Sequence, residues 1–216
     1  LSAMYQNRWP DQVARILAVS AVSIPAFWFA IILQLGLASR LGLLPLGRRY
    51  PTLETPPKDV TGLYLVDSLI AGDPHAFWLS FQHLILPTMV LAIAPLAIIM
   101  RTLRGDVLEV LGQDFVRTAR AKGLAGRSVI RHHVLKNAFI PSLTMIGLTF
   151  GWTLGGTVLV EAVFDWPGIG KYAVDAAVRL DFEPIMAITI VVGIAFVMIN
   201  LIVDLLYGFL DPRIRY

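Results

Sequence analysis

The chain has 216 residues, of which 56% are hydrophobic and only 15% charged, and its mean hydropathy is positive. So few charged side chains cannot surround an apolar core in a chain this short, which argues against an ordinary soluble globule and makes lipid the expected solvent. The formal charge of +3 does not indicate a nucleic-acid partner, because the basic residues are spread over several loops between long apolar runs; the absence of cysteine excludes disulfides, thiolate metal sites and thiol redox chemistry.

A helix that crosses the hydrocarbon needs ~20 mainly apolar residues. Four stretches meet that requirement, at about 16–38, 78–100, 138–160 and 185–207. The expected fold is all-α: a polytopic helical membrane protein with four transmembrane helices in one domain over 1–216. The first span contains Pro25 and the second Pro87 and Pro95. Each proline removes a backbone hydrogen bond and crowds the preceding turn, which serves either a packing kink or gating. Trp9, Trp78 and Trp166 are candidate interfacial anchors, whereas Trp28 and Trp152 fall inside spans and are expected to pack.

The segment from Gly42 to Pro74 is rich in proline and glycine and shows no organisation for docking. The segment at about 101–137 is basic and reads as helix. Within it, Asp114 to Lys122 predicts a short helix closed by Gly123 as a left-handed cap, and Ser128 is expected to cap a second helix through Asn137.

The third span carries Gly147, Gly151 and Gly155 at four-residue spacing, a small-residue face for packing within the chain or against a partner. Thr149 and Thr153 lie beside that face, offering hydroxyls to a polar path or bonding their own backbone. Asp204, near the inner end of the last span, is read as structural, with Arg101 or Arg104 as its expected partner. Gly168-Ile169-Gly170-Lys171 is superficially similar to a phosphate loop, but Asp165 stands where that motif needs glycine and Tyr172 where it needs Ser or Thr. His132 and His133 are adjacent rather than on one helical face, and His75 and His83 lie elsewhere, so no metal site is expected. Without a metalloprotease motif or a nucleophile elbow, neither a catalytic constellation nor a cofactor is expected.

Lys and Arg favour cytoplasmic loops. Arg8, Arg15, Arg101, Arg104, Arg117, Arg120, Lys122, Arg127, Arg131, Lys136, Arg213 and Arg215 would share one side, against Arg40, Arg48, Arg49, Lys58, Lys171 and Arg179. Twelve against six puts both ends of the chain in the cytoplasm, with 101–137 inside and 39–77 and 161–184 outside.

The stretch from Gly112 to Leu124, Gly-Gln-Asp-Phe-Val-Arg-Thr-Ala-Arg-Ala-Lys-Gly-Leu, resembles the cytoplasmic coupling loop of the dipeptide, oligopeptide and nickel permeases of ABC importers. Ala119, Gly123 and Leu135 match the general importer pattern. The basic residue at Arg117 and the run Lys136-Asn137-Ala138-Phe139-Ile140-Pro141 resemble the peptide/nickel branch. Val160 to Gly170, Leu210 to Tyr216 and Ile24-Pro25-Ala26-Phe27-Trp28 are similar to further stretches of that family.

The resemblance implies a type I ABC importer transmembrane domain in the bacterial inner (cytoplasmic) membrane. Such permeases usually have six spans, so two helices and an external segment are expected to be missing ahead of Leu1. It also implies a second permease subunit, in a homo- or heterodimer, two cytoplasmic ATP-binding subunits that hydrolyse ATP, and an extracytoplasmic solute-binding protein. Peptides are the first expectation for the substrate, with nickel or another small solute as the alternative. Arg117, Thr118, Ala119, Arg120, Ala121, Lys122, Gly123 and Leu124 would couple to an ATPase. There Ala119 and Ala121 would permit close approach, Arg117, Arg120 and Lys122 would pair with acidic groups, and Gly123 would set the bend. Glu161, near the outer mouth, would meet a ligand amine or the binding protein, or stand as a hydrated helix-end carboxylate. Two other classes compete: a secondary transporter, for which no convincing inverted repeat is visible, and a membrane scaffold.

Overall fold

The computed structural model describes residues 8–155 and 157–210, and among them every regular element is helical. The C-terminal run from Asp211 and the cations Arg213 and Arg215 lie outside the described residues.

The first expected span is not one helix. α1 (Trp9–Ser23) ends before Pro25, and α2 (Ala26–Leu33) begins after it and passes into a wider π-wound stretch, Gln34–Arg40. Proline pushes the preceding residue out of the helical region, and Pro25 itself is extended (φ −60°, ψ 133°). The Ser23 hydroxyl then donates to the Val19 carbonyl, and the Pro25 carbonyl accepts the Phe29 N–H to start α2. Pro87 and Pro95 do not break their helix. α4 (Pro74–Leu111) runs through both and continues past the expected end of the span at 100, so 101–111 is helix, as read, but in one piece with the span.

α5 (Asp114–Ala121) follows. α6 (Gly126–Ser128), a π-wound stretch at Val129–Val134 and α7 (Leu135–Gly155) form one continuous helix. That helix starts after Ala125, whose carbonyl accepts the Ser128 and Val129 N–H groups. Ser128 is therefore inside it rather than its cap. The expected third span stops at Gly155, and 158–160 belongs to a separate helix, α8 (Val158–Val163). α9 (Ile169–Val178) and α10 (Phe182–Leu210) complete the order.

Pro74–Leu111, Gly126–Gly155 and Phe182–Phe209 are each long and apolar enough to cross a membrane, and the broken pair Trp9–Ser23 with Ala26–Arg40 meets the test when taken together. None of the most apolar window of α10 is buried within the chain, an exposure that water penalises and lipid does not. Trp28 and Trp152 do not pack as expected: they are 50% and 80% exposed, on helix faces that other side chains of this chain leave uncovered.

The chain divides into two compact units. One comprises Leu1–Ser23, Ala94–Leu154 and Val191–Tyr216. Its core joins Val107 and Val110 of α4, Val116 and Ala119 of α5, Val129, Val134 and Ala138. Polar pairs tie its helices: the Ser142 hydroxyl donates to Asp106 Oδ2 (2.7 Å), the Thr144 and Tyr207 hydroxyls share a hydrogen bond, and Arg104 binds Asp11. The Arg104 fork is thus taken by Asp11 rather than by Asp204, which is exposed.

The glycine face divides. A Cβ on Gly147 would approach Val203 Cγ2 to 2.8 Å and one on Gly151 would collide with the Phe196 ring, so both glycines pack against α10 of the same chain. A Cβ on Gly155 would meet nothing within 4 Å. Val203 is buried and β-branched, and it yields poorly. Gly147→Ala is therefore expected to cost about 1–3 kcal/mol by overpacking. Gly155→Ala should be neutral or slightly stabilising, because alanine is the better helix former. Thermal unfolding of the two variants in detergent checks the contrast. The Thr149 and Thr153 hydroxyls bond the Met145 and Thr149 carbonyls, their own backbone.

The second unit comprises Ile24–Ile93 and Gly155–Ile190. Its core gathers Ala30, Ala38, Leu86, Val90, Val160 and Phe164, with Trp166 packed against it. The proline- and glycine-rich segment is held by polar contacts. α3 (Tyr64–Ala71) carries Asp67, whose fully buried side chain accepts the Thr61 N–H (2.8 Å) and hydroxyl (2.7 Å). Burial pushes this carboxyl upward, but the Thr61 hydrogen bonds prevail and hold it below the ordinary aspartate range. The Arg49 guanidinium lies over the Tyr64 ring at 4.3 Å.

Candidate functional site

The motif-bearing loop is built on a single anchor. α4 closes at Gly112, the Gln113 carbonyl accepts the Val116 N–H (3.1 Å) to open α5, and α5 buries only Val116 and Ala119, three residues apart on one face. These two join the α4 valines and Val129 and Val134 in the core described above. Ala119 is thus packed inside its own chain and cannot be a surface for close approach by a partner. Burial of the i and i+3 positions of so short a helix turns the others outward.

What α5 presents follows from that anchoring. Opposite the buried face lie Asp114, Arg117, Thr118 and Ala121, all exposed, with Arg120 on one flank and Phe115 and Lys122 on the other. Arg117 and Asp114 form a loose exposed pair at 3.6 Å, and the Thr118 hydroxyl donates to the Asp114 carbonyl. Ala121 is the one small residue on the outward ridge. Arg120 and Lys122 have no side-chain ion pair among the described residues, leaving two cations for an acidic surface.

Gly123 stops the helix at φ +80°. Its N–H donates to the Arg120 carbonyl (3.0 Å) and the Leu124 N–H to the Ala119 carbonyl (3.4 Å), the paired bonds of a left-handed C-terminal cap. Leu124 follows, exposed. This exposed basic helix, fixed by two side chains and one glycine, leads through the turn at Gly123 into the continuous helix Gly126–Gly155.

Glu161 joins α8 to the start of α9. Its Oε2 accepts the Lys171 N–H at 2.7 Å, and its carboxylate packs against Gly168, so it satisfies a free donor in the first turn of α9. The same corner holds Asp165, which pairs with Lys171 Nζ (2.8 Å) and Arg48 (3.3 Å). The Lys171 hydrogen bond, with its charge, holds the Asp165 carboxyl below the ordinary range and raises Lys171 in turn.

Sequence reasoning missed the residues that seat this corner. Gln34 Nε2 donates to the Leu46 and Val163 carbonyls (2.6 and 3.0 Å), the Arg48 N–H donates to the Phe164 carbonyl (2.7 Å), and Gly47 lies against that carbonyl too closely for any side chain. The buried His83 donates through Nδ1 to the Gly47 and Arg48 carbonyls (2.8 and 3.0 Å). The available signal was polarity: Gln34 and His83 are polar residues inside expected apolar spans.

Comparison with known proteins agrees with the motif. The profile of the family described as "Binding-protein-dependent transport system inner membrane component" matches residues 1–216. The chain is 45% identical over 214 residues to a probable D,D-dipeptide transport system permease protein of Escherichia coli K12, covering 99% of this chain and 63% of that protein. It is 46% identical over 217 residues to a dipeptide transport system permease protein of Alkalihalophilus pseudofirmus, covering 100% of this chain and 65% of the relative. Against a di/tripeptide transport system permease protein of Pseudomonas aeruginosa the identity is 40% over 217 residues, with 100% and 64% covered. The chain therefore spans a little under two thirds of the length of these relatives.

Proposed function

Because this chain belongs to the family of binding-protein-dependent transport system inner membrane components, we propose that it forms part of one membrane-spanning half of an ATP-driven importer of short peptides. A second permease subunit supplies the other half, two cytoplasmic ATP-binding subunits hydrolyse ATP, and an extracytoplasmic solute-binding protein delivers the ligand. The peptide assignment draws on relatives named as dipeptide, di/tripeptide and D,D-dipeptide permeases. No catalytic role falls to this chain.

The observation that carries the reading is the outward face of α5. Arg117, Arg120 and Lys122 offer charge to an acidic groove, and Ala121 leaves room for the groove wall to approach. The Gly123 cap fixes the direction in which the helix is held. ATP-driven closure of the ATPase pair would move α5 and, through the helix Gly126–Gly155, tilt the pathway between inward-open and outward-open states. In this orientation both ends of the chain and residues 101–137 are cytoplasmic.

Reconstitution of the full-length permease with its ATPases in liposomes tests the proposal. ATP hydrolysis is expected to rise when the loaded binding protein is added. In intact cells an impermeant amine reagent should leave Lys122 unlabelled. Labelling of Lys122 from outside, or hydrolysis indifferent to the binding protein, would overturn it.

A further inference from the structure

A groove between α1 and α4, within one unit of the chain, is floored by Ala14, Ala18, Val19 and Met100 and edged by Arg15, Arg101 and Arg104. The depression follows from spacing: Ala14 and Ala18, four residues apart, remove side-chain bulk from one face of α1. The three arginines differ in their commitments. Arg104 is neutralised by the bidentate contact with Asp11. Arg15 and Arg101 are exposed, and neither has an ion pair or side-chain hydrogen bond among the described residues. Two unpaired guanidinium groups beside an apolar floor call for a ligand that is anionic at one end and apolar along its length.

Position narrows the ligand further. Arg15 immediately precedes the first apolar stretch and Arg101 immediately follows the second, so both stand at the depth where hydrocarbon gives way to headgroups. Exposed Ile16 and Leu17 extend the apolar surface of α1 beside the groove. We infer that the α1–α4 groove binds an anionic glycerophospholipid, with an acyl chain along Ala18, Val19 and Met100 and the phosphate held by Arg15 and Arg101. Basic pockets between membrane helices on the cytoplasmic side suit anionic headgroups, and guanidinium matches phosphate in bidentate geometry. The inference rests on the membrane-spanning reading proposed above.

Native mass spectrometry of the full-length permease in its importer complex tests it, with phosphatidylglycerol and phosphatidylcholine of identical acyl chains as probes. Wild type is expected to retain phosphatidylglycerol in preference. The Arg15→Gln, Arg101→Gln double variant should bind it about thirtyfold more weakly and leave phosphatidylcholine adducts unchanged. A control that removes the same charge elsewhere, Arg127→Gln with Lys136→Gln, should retain phosphatidylglycerol as wild type does. Equal retention of both lipids, undiminished binding by the groove variant, or an equal loss in the control overturns the site, the last by showing diffuse attraction instead. Retention in detergent does not depend on orientation, so failure here is distinguishable from failure of the Lys122 labelling.

Discussion

On the function proposed above, Gly123→Val is expected to lower peptide uptake at least severalfold while leaving the chain inserted in the membrane. The cost arises in the backbone alone: a Cβ at Gly123 would meet nothing within 4 Å, but φ is +80°, a region β-branched residues avoid. Strain of this kind amounts to about 1–3 kcal/mol. Val116 and Ala119 hold one side of the turn and Val129 and Val134 the other, so relief comes from rotating the turn, which redirects α5. A penalty of that size shifts the population of the docking-competent shape by roughly five- to 150-fold. Gly123→Asn is the discriminating partner, since asparagine tolerates the left-handed region and should keep substantial uptake. A radiolabelled dipeptide uptake assay with parallel measurement of ATPase co-purification checks the contrast. Normal uptake and normal ATPase binding by the valine variant would remove α5 from the coupling role.

The helices were readable because a membrane span is a demand on composition: about 20 apolar residues in a row leave few alternatives. Their interruptions were not. Pro25, Pro87 and Pro95 are the same residue in similarly apolar surroundings, yet only Pro25 separates two helices. What differs is where the freed backbone groups find partners, and that depends on neighbours distant in sequence. The end of α7 at Gly155 has the same character, as no charge or proline announces it. Trp28 and Trp152 misled for a related reason. Lying inside an apolar run predicts burial in something, and without a bilayer in view the pattern does not separate protein from lipid or a partner subunit.

The segment proposed to couple was legible as a motif and as local geometry, because Gly123 is required by its φ and the exposure of the basic residues follows from α5 having only one buried face. The division of labour inside it was not. Alanine at 119 and alanine at 121 read alike, and only the three-residue step from Val116 to Ala119 assigns the first to the core and the second to the surface. The corner around Glu161 and Asp165 was the largest omission. Its acceptors are the carbonyls of Leu46, Gly47, Arg48, Val163 and Phe164, and backbone acceptors leave no mark on a sequence. Glu161 was singled out as a charge near a membrane boundary, but its Lys171 partner acts through a main-chain N–H, which side-chain reasoning does not see.

Asp11→Ala is expected to have the largest effect on stability. The Arg104 Nε and Nη2 donate to the two Asp11 oxygens at 2.6 and 2.8 Å, the Asp11 side chain is 0% exposed and that of Arg104 21%. Deleting the carboxylate strands a largely buried guanidinium, and breaking a buried pair in this way costs about 3–5 kcal/mol. That is a large part of a domain's usual margin of roughly 5–15 kcal/mol. The loss belongs to the unpaired charge rather than to the missing contact. Replacing both partners with apolar residues, Asp11→Leu with Arg104→Met, should therefore recover most of it, although Arg104→Met alone should not. Arg104 precedes Val107 by one turn of α4, so the damage reaches the core that anchors α5. The expected phenotype is few assembled importers, each with normal ATPase stimulation, and a lowered unfolding temperature that the double variant restores. If Asp11→Ala and the double variant unfold at the same temperature, the pair is not what fastens α1 to α4.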